Sequence, residues 1–172
     1  MFADRPWELR APVIDLGREL HLKYHGTAAP PPMLTDFAVC AETNEKAEDM
    51  ARRYQGKFTE SNFYHYEFLG QHFANVKGYD GYQEKAEFAR QAGGDLKPAV
   101  ENFMKSASWG TPDRILGELE KRREIVGDFE LNVSFRFGGI PHNEAEASLK
   151  LFAKEVLPVL KTWKAEDAVA AE

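Results

Sequence analysis

The sequence has a single cysteine, no long hydrophobic run and no excess of positive charge, and each absence excludes a class of protein. One cysteine, Cys40, excludes an internal disulfide and fits a reducing compartment, so we expect a cytoplasmic protein. The apolar runs fall well short of the roughly 20 residues that cross a membrane, and the first residues lack the pattern of a signal peptide. With a formal net charge of −6, the chain is expected to bind neither nucleic acid nor a membrane.

Several catalytic motifs are absent as well. The chain contains no GxGxxG dinucleotide-binding motif, no phosphate-binding P-loop and no GxSxG nucleophile motif. His65, Glu67 and His72 lack the HExxH spacing of a zinc helix and have no obvious third ligand, so we predict no metal site. A small metalloenzyme built on these three residues is one alternative function, the third after the two described below. Cys40 shares the predicted side of its strand with Asp36, has no visible histidine partner, and is interpreted as a core residue.

Hydrophobic periodicity predicts an alternation of helices and strands. Thr43 or Asn44 and Thr111 are predicted helix caps, and Asn143 with Glu146 predicts a capping box. Strand–helix–strand–helix order with short connections, from Ser106 onward, predicts parallel strands. The predicted strands are residues 33–40, 106–109 and 129–137, and the predicted helices are residues 6–25, 44–58 with an extension toward Tyr66 left open, 82–91, 97–105, 112–126 and 143–163.

The order of these elements also resembles that of a known enzyme family. SASWGTPDRI, then ELxVSFRFGGxP and a final amphipathic helix, resemble the C-terminal end of the bacterial-luciferase-like monooxygenases. MFADRPWELR and the strand MLTDFAVCAET resemble the middle of the same proteins. That family consists of flavin- or deazaflavin-dependent oxidoreductases built on a (β/α)8 barrel. The resemblance covers nearly the whole chain, but the family's chains are much longer, so a preceding half is expected to be missing.

The predicted fold class follows from the number of strands. Three strands cannot close a (β/α)8 TIM barrel, which needs eight strands and typically ~250 residues. We therefore expect one α/β domain over residues 1–163, an incomplete luciferase-like barrel with only the C-terminal strands and helices, followed by a frayed tail over residues 164–172. The lumen face and two strand edges of such a partial barrel would stay open. The alternative is a small three-layer α/β sandwich.

Candidate cofactor-binding residues follow from the same resemblance. In a barrel, Ser134 and Arg136 would face the lumen near its C-terminal mouth, where a guanidinium can hold phosphate, carboxylate or an anionic flavin ring. The alternative for Arg136 is an ordinary, partly exposed ion pair. The remaining candidates each have a structural alternative. Gly138 and Gly139 would form a phosphate-binding loop or a plain turn. Trp109 would line a pocket or fill the core, and Asp4 would lie near the flavin or cap a helix.

The resemblance implies an oxidoreductase that uses FMN or F420 to transfer hydride or oxygen to a small organic substrate. Much of the family's cofactor contact comes from the half that this sequence lacks. We therefore expect the chain alone to bind little or no flavin and to be inactive without a complementary N-terminal half-barrel. The alternative function is a non-catalytic α/β module that self-associates or binds a partner, so a homo-oligomer or a complex with the complementary half is expected.

Overall fold

The computed structural model describes residues 5–163, and it alternates seven α-helices with short parallel strands over that range. A 3₁₀ turn (Trp7–Leu9) precedes the first helix, and a π-helical turn (Phe152–Val156) joins the last two. The helices are α1 (Ala11–His25), α2 (Asn44–His65), α3 (Asp80–Gln91), α4 (Lys97–Ser106), α5 (Pro112–Val126), α6 (His142–Leu151) and α7 (Leu157–Leu160), and the strands are β1 (Met33–Phe37), β2 (Val39–Cys40), β3 (Trp109–Gly110) and β4 (Glu130–Ser134). Asp4 and the predicted tail over residues 164–172 lie outside the described residues. None of the helices in residues 5–163 is long and apolar enough to cross a membrane.

β1 and β2 form one almost continuous strand that lies between the other two. β4 pairs with β1 and β3 pairs with β2, both in parallel, which confirms the predicted strand direction. The Ala38 N–H donates to the Ser134 carbonyl (3.0 Å), whereas the Val39 N–H donates to the Ser108 carbonyl (3.1 Å). Successive amides of a strand point to opposite edges, so the spatial order is β3, then β1–β2, then β4.

Helices cover both faces of this central strand. On one face Val39 belongs to an apolar cluster with Met50 of α2, and on the other Cys40 packs with Ile115 of α5 and Phe152 of the π-helical turn. The chain reaches β3 at one edge through α2–α4 and returns to β4 at the other edge through α5. Right-handed connections in opposite directions place their helices on opposite faces. The expectation that the lumen face stays open is therefore wrong for the central strand. Helices cover this strand on both faces, as in the three-layer α/β sandwich that was the alternative prediction.

β4 is exposed on one face, as its alternating sequence predicts. Leu131, Val133 and Phe135 pack against the cluster formed by α5 and the π-helical turn, whereas Asn132 is exposed. The strand ends at Ser134, earlier than predicted. The reason is that the Cys40 N–H, which would continue the ladder, donates instead to Ser148 Oγ of α6 (2.7 Å).

Helix starts follow local chemistry at most of the predicted positions. Thr43 and Thr111 accept hydrogen bonds from the amides three residues later, as predicted. Pro12 delays the first helix, which begins at Ala11, because proline is tolerated only in the first turn. The capping box at Asn143 is wrong: α6 begins one residue earlier, with Pro141 at the cap position and no capping side chain.

Candidate functional site

The sequence-predicted cofactor residues do not converge in the structure. Ser134, the last residue of β4, is half-buried, and Arg136, two residues beyond the strand, is exposed. Trp109 lies in β3, at the opposite edge of the sheet. Within residues 5–163 no hydrogen bond or ion pair is made by the Arg136 side chain.

Gly138 and Gly139 shape the loop that leads from β4 into α6. Both have left-handed backbone conformations, with φ of +54° and +78°. A Cβ at Gly138 would lie 1.9 Å from the Tyr54 carbonyl oxygen of α2, whereas nothing lies within 4 Å of one at Gly139. Close passage of the loop against α2 thus explains Gly138, and a turn explains Gly139, without a ligand.

Trp109 is buried in the core next to α2 and α4. Its indole N–H donates to the Met104 carbonyl (2.7 Å), and the Arg114 guanidinium lies 3.8 Å from the ring centroid. At the adjacent start of α5, the Thr111 N–H donates to Asn44 Oδ1 (3.1 Å). Protein side chains thus serve as hydrogen-bond partners at this helix start, as expected for a capped helix.

A crevice lies at the C-terminal edge of the sheet. Open α/β folds commonly bind ligands at this edge, between strands whose connections run in opposite directions. It lies between the end of β2 and the start of α6 and has a volume of about 190 Å³. Ligand sites are usually about 300–1,000 Å³, so this crevice is too small for a flavin. Burial, aided by the negative charge of Glu42, raises the pKa of the Cys40 thiol at its wall to about 11. That thiol is therefore protonated and unreactive near neutral pH.

A buried polar network lies beneath this edge. Ser108 donates from its hydroxyl to Asp36 Oδ2 (2.5 Å) and from its amide to Asp36 Oδ1 (3.1 Å). Arg122 Nη1 lies 2.8 Å from the same carboxylate, and Nη2 donates to the Ser106 carbonyl (3.1 Å). The guanidinium also lies 4.3 Å from the Trp7 ring centroid. Because these charges are sealed from solvent, the network joins α5 to the central strand rather than serving a reaction.

Sequence reasoning missed Arg122 as part of this network. The signal was present, since Arg122 falls on the apolar stripe of α5 with Ile115, Leu119 and Val126. A charged residue on a core-facing stripe indicates a buried partner. For Asp36, the sequence predicted only that it lies on the same side of its strand as Cys40.

The structure also contains a cleft, partly lined by phenylalanines, that the sequence did not predict, because its walls come from segments that are distant from one another in the chain. It has a volume of about 370 Å³ and lies between α2, α3, α4 and the residues before α1. A second cavity of about 240 Å³ adjoins it and shares four wall residues. The shared residues are Asn62, Phe68, Lys85 and Phe103.

His65, Glu67 and His72 do not form a metal centre in the structure. Within residues 5–163, no group of three or more histidine, cysteine, aspartate or glutamate side chains could hold a metal ion. His72 instead lies with its ring centroid 4.1 Å from that of Phe73.

Comparison with known proteins finds similarity in structure but not in sequence. No protein-family model and no curated protein matches the sequence. Monooxygenase RslO1 from Streptomyces bottropensis matches with 20% identity and a TM-score of 0.58, over 93% of this chain and 41% of that one. The oxygenating constituent of 3,6-diketocamphane monooxygenase from the CAM plasmid of Pseudomonas putida, a type II Baeyer–Villiger monooxygenase solved with FMN, matches with 17% identity and a TM-score of 0.55.

This second match covers 91% of this chain and again 41% of the monooxygenase chain. The chain therefore spans about two-fifths of the length of these monooxygenases. At such identities the likeness shows a shared fold and no more. Nearly the whole described chain has the fold of a part of these monooxygenases.

Proposed function

We propose that this chain is the C-terminal portion of a luciferase-like flavin-dependent monooxygenase. It oxidises a small organic substrate with FMN or F420 only when a complementary N-terminal half is present. The observation that carries the proposal is the asymmetry of the structural matches, which cover more than nine-tenths of this chain and 41% of each enzyme. The order of motifs around Trp109 and Arg136 supports the same family.

The geometry supports an incomplete site. The crevice at the strand ends has a volume of about 190 Å³, and the candidate residues Ser134 and Trp109 lie in strands at opposite edges of the sheet. Helices on both faces of the central strand fit the proposal as well. Without further strands, α5 and the π-helical turn can pack over the face that carries Asp36 and Cys40, which in a barrel would look into the lumen.

A flavin titration tests this proposal directly. We expect no shift in the visible spectrum of FMN when the purified chain is added at micromolar concentration, and no substrate-dependent oxidation. F420 is titrated in the same way, and an intact flavin monooxygenase serves as the positive control. A saturable spectral shift with this chain alone would contradict the incomplete-site proposal. A coding stretch for the first half of a barrel immediately upstream in the genome would support it.

A second candidate function, a self-associating or partner-binding module, is favoured by the first helix. Val13, Leu16 and Leu20 follow the 3–4 spacing of a helix-pairing seam along α1, and they are 55%, 53% and 42% exposed. Ile14, on the other side of α1, packs into the core. Light scattering after size exclusion distinguishes the outcomes: a dimer favours this candidate, and a monomer near 19.5 kDa argues against self-association.

A further inference from the structure

β4 lies at one edge of the sheet, and its outer side has no partner strand within residues 5–163. The Ser134 carbonyl accepts from the Ala38 amide, so the even-numbered residues of β4 direct their backbone groups toward the central strand. Successive residues of a strand direct these groups to opposite edges, so the amides and carbonyls of Leu131 and Val133 point outward. Such a row of backbone groups is a template for a further strand.

This edge also lacks the features that usually block strand pairing. Between Glu130 and Arg136 the sequence contains no proline and no charged residue. Leu131 and Val133 pack against the cluster under α5, and Phe135, just after the strand, packs against the same cluster. The alternation therefore continues beyond the end of β4, and the whole segment is suited to pair with another strand.

Two opposite charges bound the segment. Glu130 and Arg136 are both exposed, and neither side chain makes a hydrogen bond or ion pair with another residue in the described part of the chain. Their positions differ by an even number, so both side chains lie on the same face of an extended segment. The segment is therefore complementary in charge to a second copy of itself that runs in the opposite direction.

We propose that two copies of this chain pair through the outer edges of β4, antiparallel and centred on Val133. In this register Val133 faces its own copy, and Leu131 faces Phe135 of the second copy. Glu130 faces Arg136 of the second copy, and the two-fold axis forms this ion pair twice. The residues with outward backbone groups oppose one another, as an antiparallel ladder requires. A parallel pairing in register would instead place each charge opposite its like.

This inference rests on the second candidate function and adds a contact and a register to it. α1 passes close to the start of β4, because Arg18 Nη2 donates to the Val126 carbonyl (2.6 Å) and lies 3.0 Å from the position of a Cβ on Gly127. The exposed leucines of α1 and the edge of β4 can therefore belong to one interface. A short strand pair is only marginally stable by itself, so a stable dimer needs both contacts.

Charge exchange between Glu130 and Arg136 tests the register, with the dissociation constant measured by sedimentation equilibrium. Glu130→Arg or Arg136→Glu alone places like charges opposite each other at both ends, so the dimer weakens about tenfold. Mixing the two single variants in equal amounts restores the affinity, because every pair then joins opposite charges again. The double variant, which exchanges both charges within one chain, restores it as well.

Glu60→Arg is the matched control, because it reverses an exposed charge on α2, away from the strand, and leaves the dimer unchanged. All variants keep their circular dichroism, since the substituted side chains are exposed. A wild-type chain that stays monomeric overturns both this inference and self-association as a function. A dimer that tolerates both single variants, or single variants that do not recover on mixing, overturns the β4 register alone and leaves self-association standing.

Discussion

Asp36 and Arg122 place two opposite charges where water does not reach them. Their side chains are 0% and 2% exposed, and removing such charges from water costs several kcal/mol for each ion. The carboxylate is well satisfied by Ser108, but the guanidinium is not. Arg122 Nη1 lies at ion-pair distance without hydrogen-bond geometry, and Nε has no partner in the part of the chain that the structure describes.

Breaking this ion pair should therefore cost more than the pair contributes. We expect Asp36→Asn to lower the free energy of unfolding by about 3–5 kcal/mol, because it leaves the Arg122 charge buried without an opposite charge. Arg122→Met should have a similar effect, and the double variant should cost clearly less than the sum. Urea denaturation measures all three. Glu42→Gln, which removes an exposed partner of Lys46, is the control and should leave the midpoint unchanged. Strictly additive losses would show that the two charges are not coupled.

Two neighbouring glycines offer a matched test of the loop after β4. Gly139→Ala meets only the penalty of a left-handed backbone, about 1–2 kcal/mol, because the space around it is open. Gly138→Ala adds a collision with the Tyr54 carbonyl, so a total loss of about 2–5 kcal/mol is expected. Chemical denaturation compares the two variants. Equal losses would mean that the loop does not press against α2 in solution.

Among the helices, α1 differs from the others in the apolar surface that it leaves exposed. Its core contact depends on Ile14 and on the 3₁₀ turn before it, where Trp7 is buried. Arg18 anchors its middle by donating to the Val126 carbonyl of α5 (2.6 Å). Gly17 has no neighbour within 4 Å, so another helix could approach this side closely. An exposed apolar seam with such an approach is typical of a pairing surface.

Charge placed on this seam should abolish self-association. We expect the Leu16→Glu, Leu20→Glu double variant to run as a monomer while retaining its helical circular dichroism, because both side chains are exposed in the isolated chain. Light scattering coupled to size exclusion gives the mass. Leu149→Glu, at an equally exposed leucine of α6, is the control and should leave the mass unchanged. A double variant that remains dimeric would place the interface elsewhere.

Over the whole molecule, three apolar clusters share side chains. Phe37 and Phe58 contact both the cluster under α2 and the cluster around Leu34, and Phe129 contacts the latter and the cluster under α5. Each cluster also has one tryptophan: Trp109 and Trp7 are buried in the first two, and Trp163 packs, partly buried, against the third. Clusters that share side chains cannot lose their packing independently, so the layers should unfold together.

We therefore expect one cooperative unfolding transition in urea. Far-ultraviolet circular dichroism and tryptophan fluorescence should give the same midpoint. Three variants each retain one tryptophan, with the other two replaced by phenylalanine. In each of them, circular dichroism and fluorescence should again give the same midpoint. A fluorescence transition that precedes the loss of helix would show that one layer separates first.

Sequence alone determined the features that depend on neighbouring residues. The period of the strands, the threonine caps of α2 and α5 and the αL glycine after α1, Gly26, were all predictable, because each depends on residues within about one turn. The end of β4 was not, because Ser148 takes the Cys40 amide from 108 positions away.

Only the tertiary structure decided what lies on each face of the sheet. The placement of α5 over Cys40, the burial of Arg122 against Asp36 and the meeting of phenylalanines around Thr59 all join residues that are distant in the chain. Periodicity tells which side of an element is apolar, but not which element will cover it. That choice depends on the order of the strands, which follows from the total burial that each arrangement achieves.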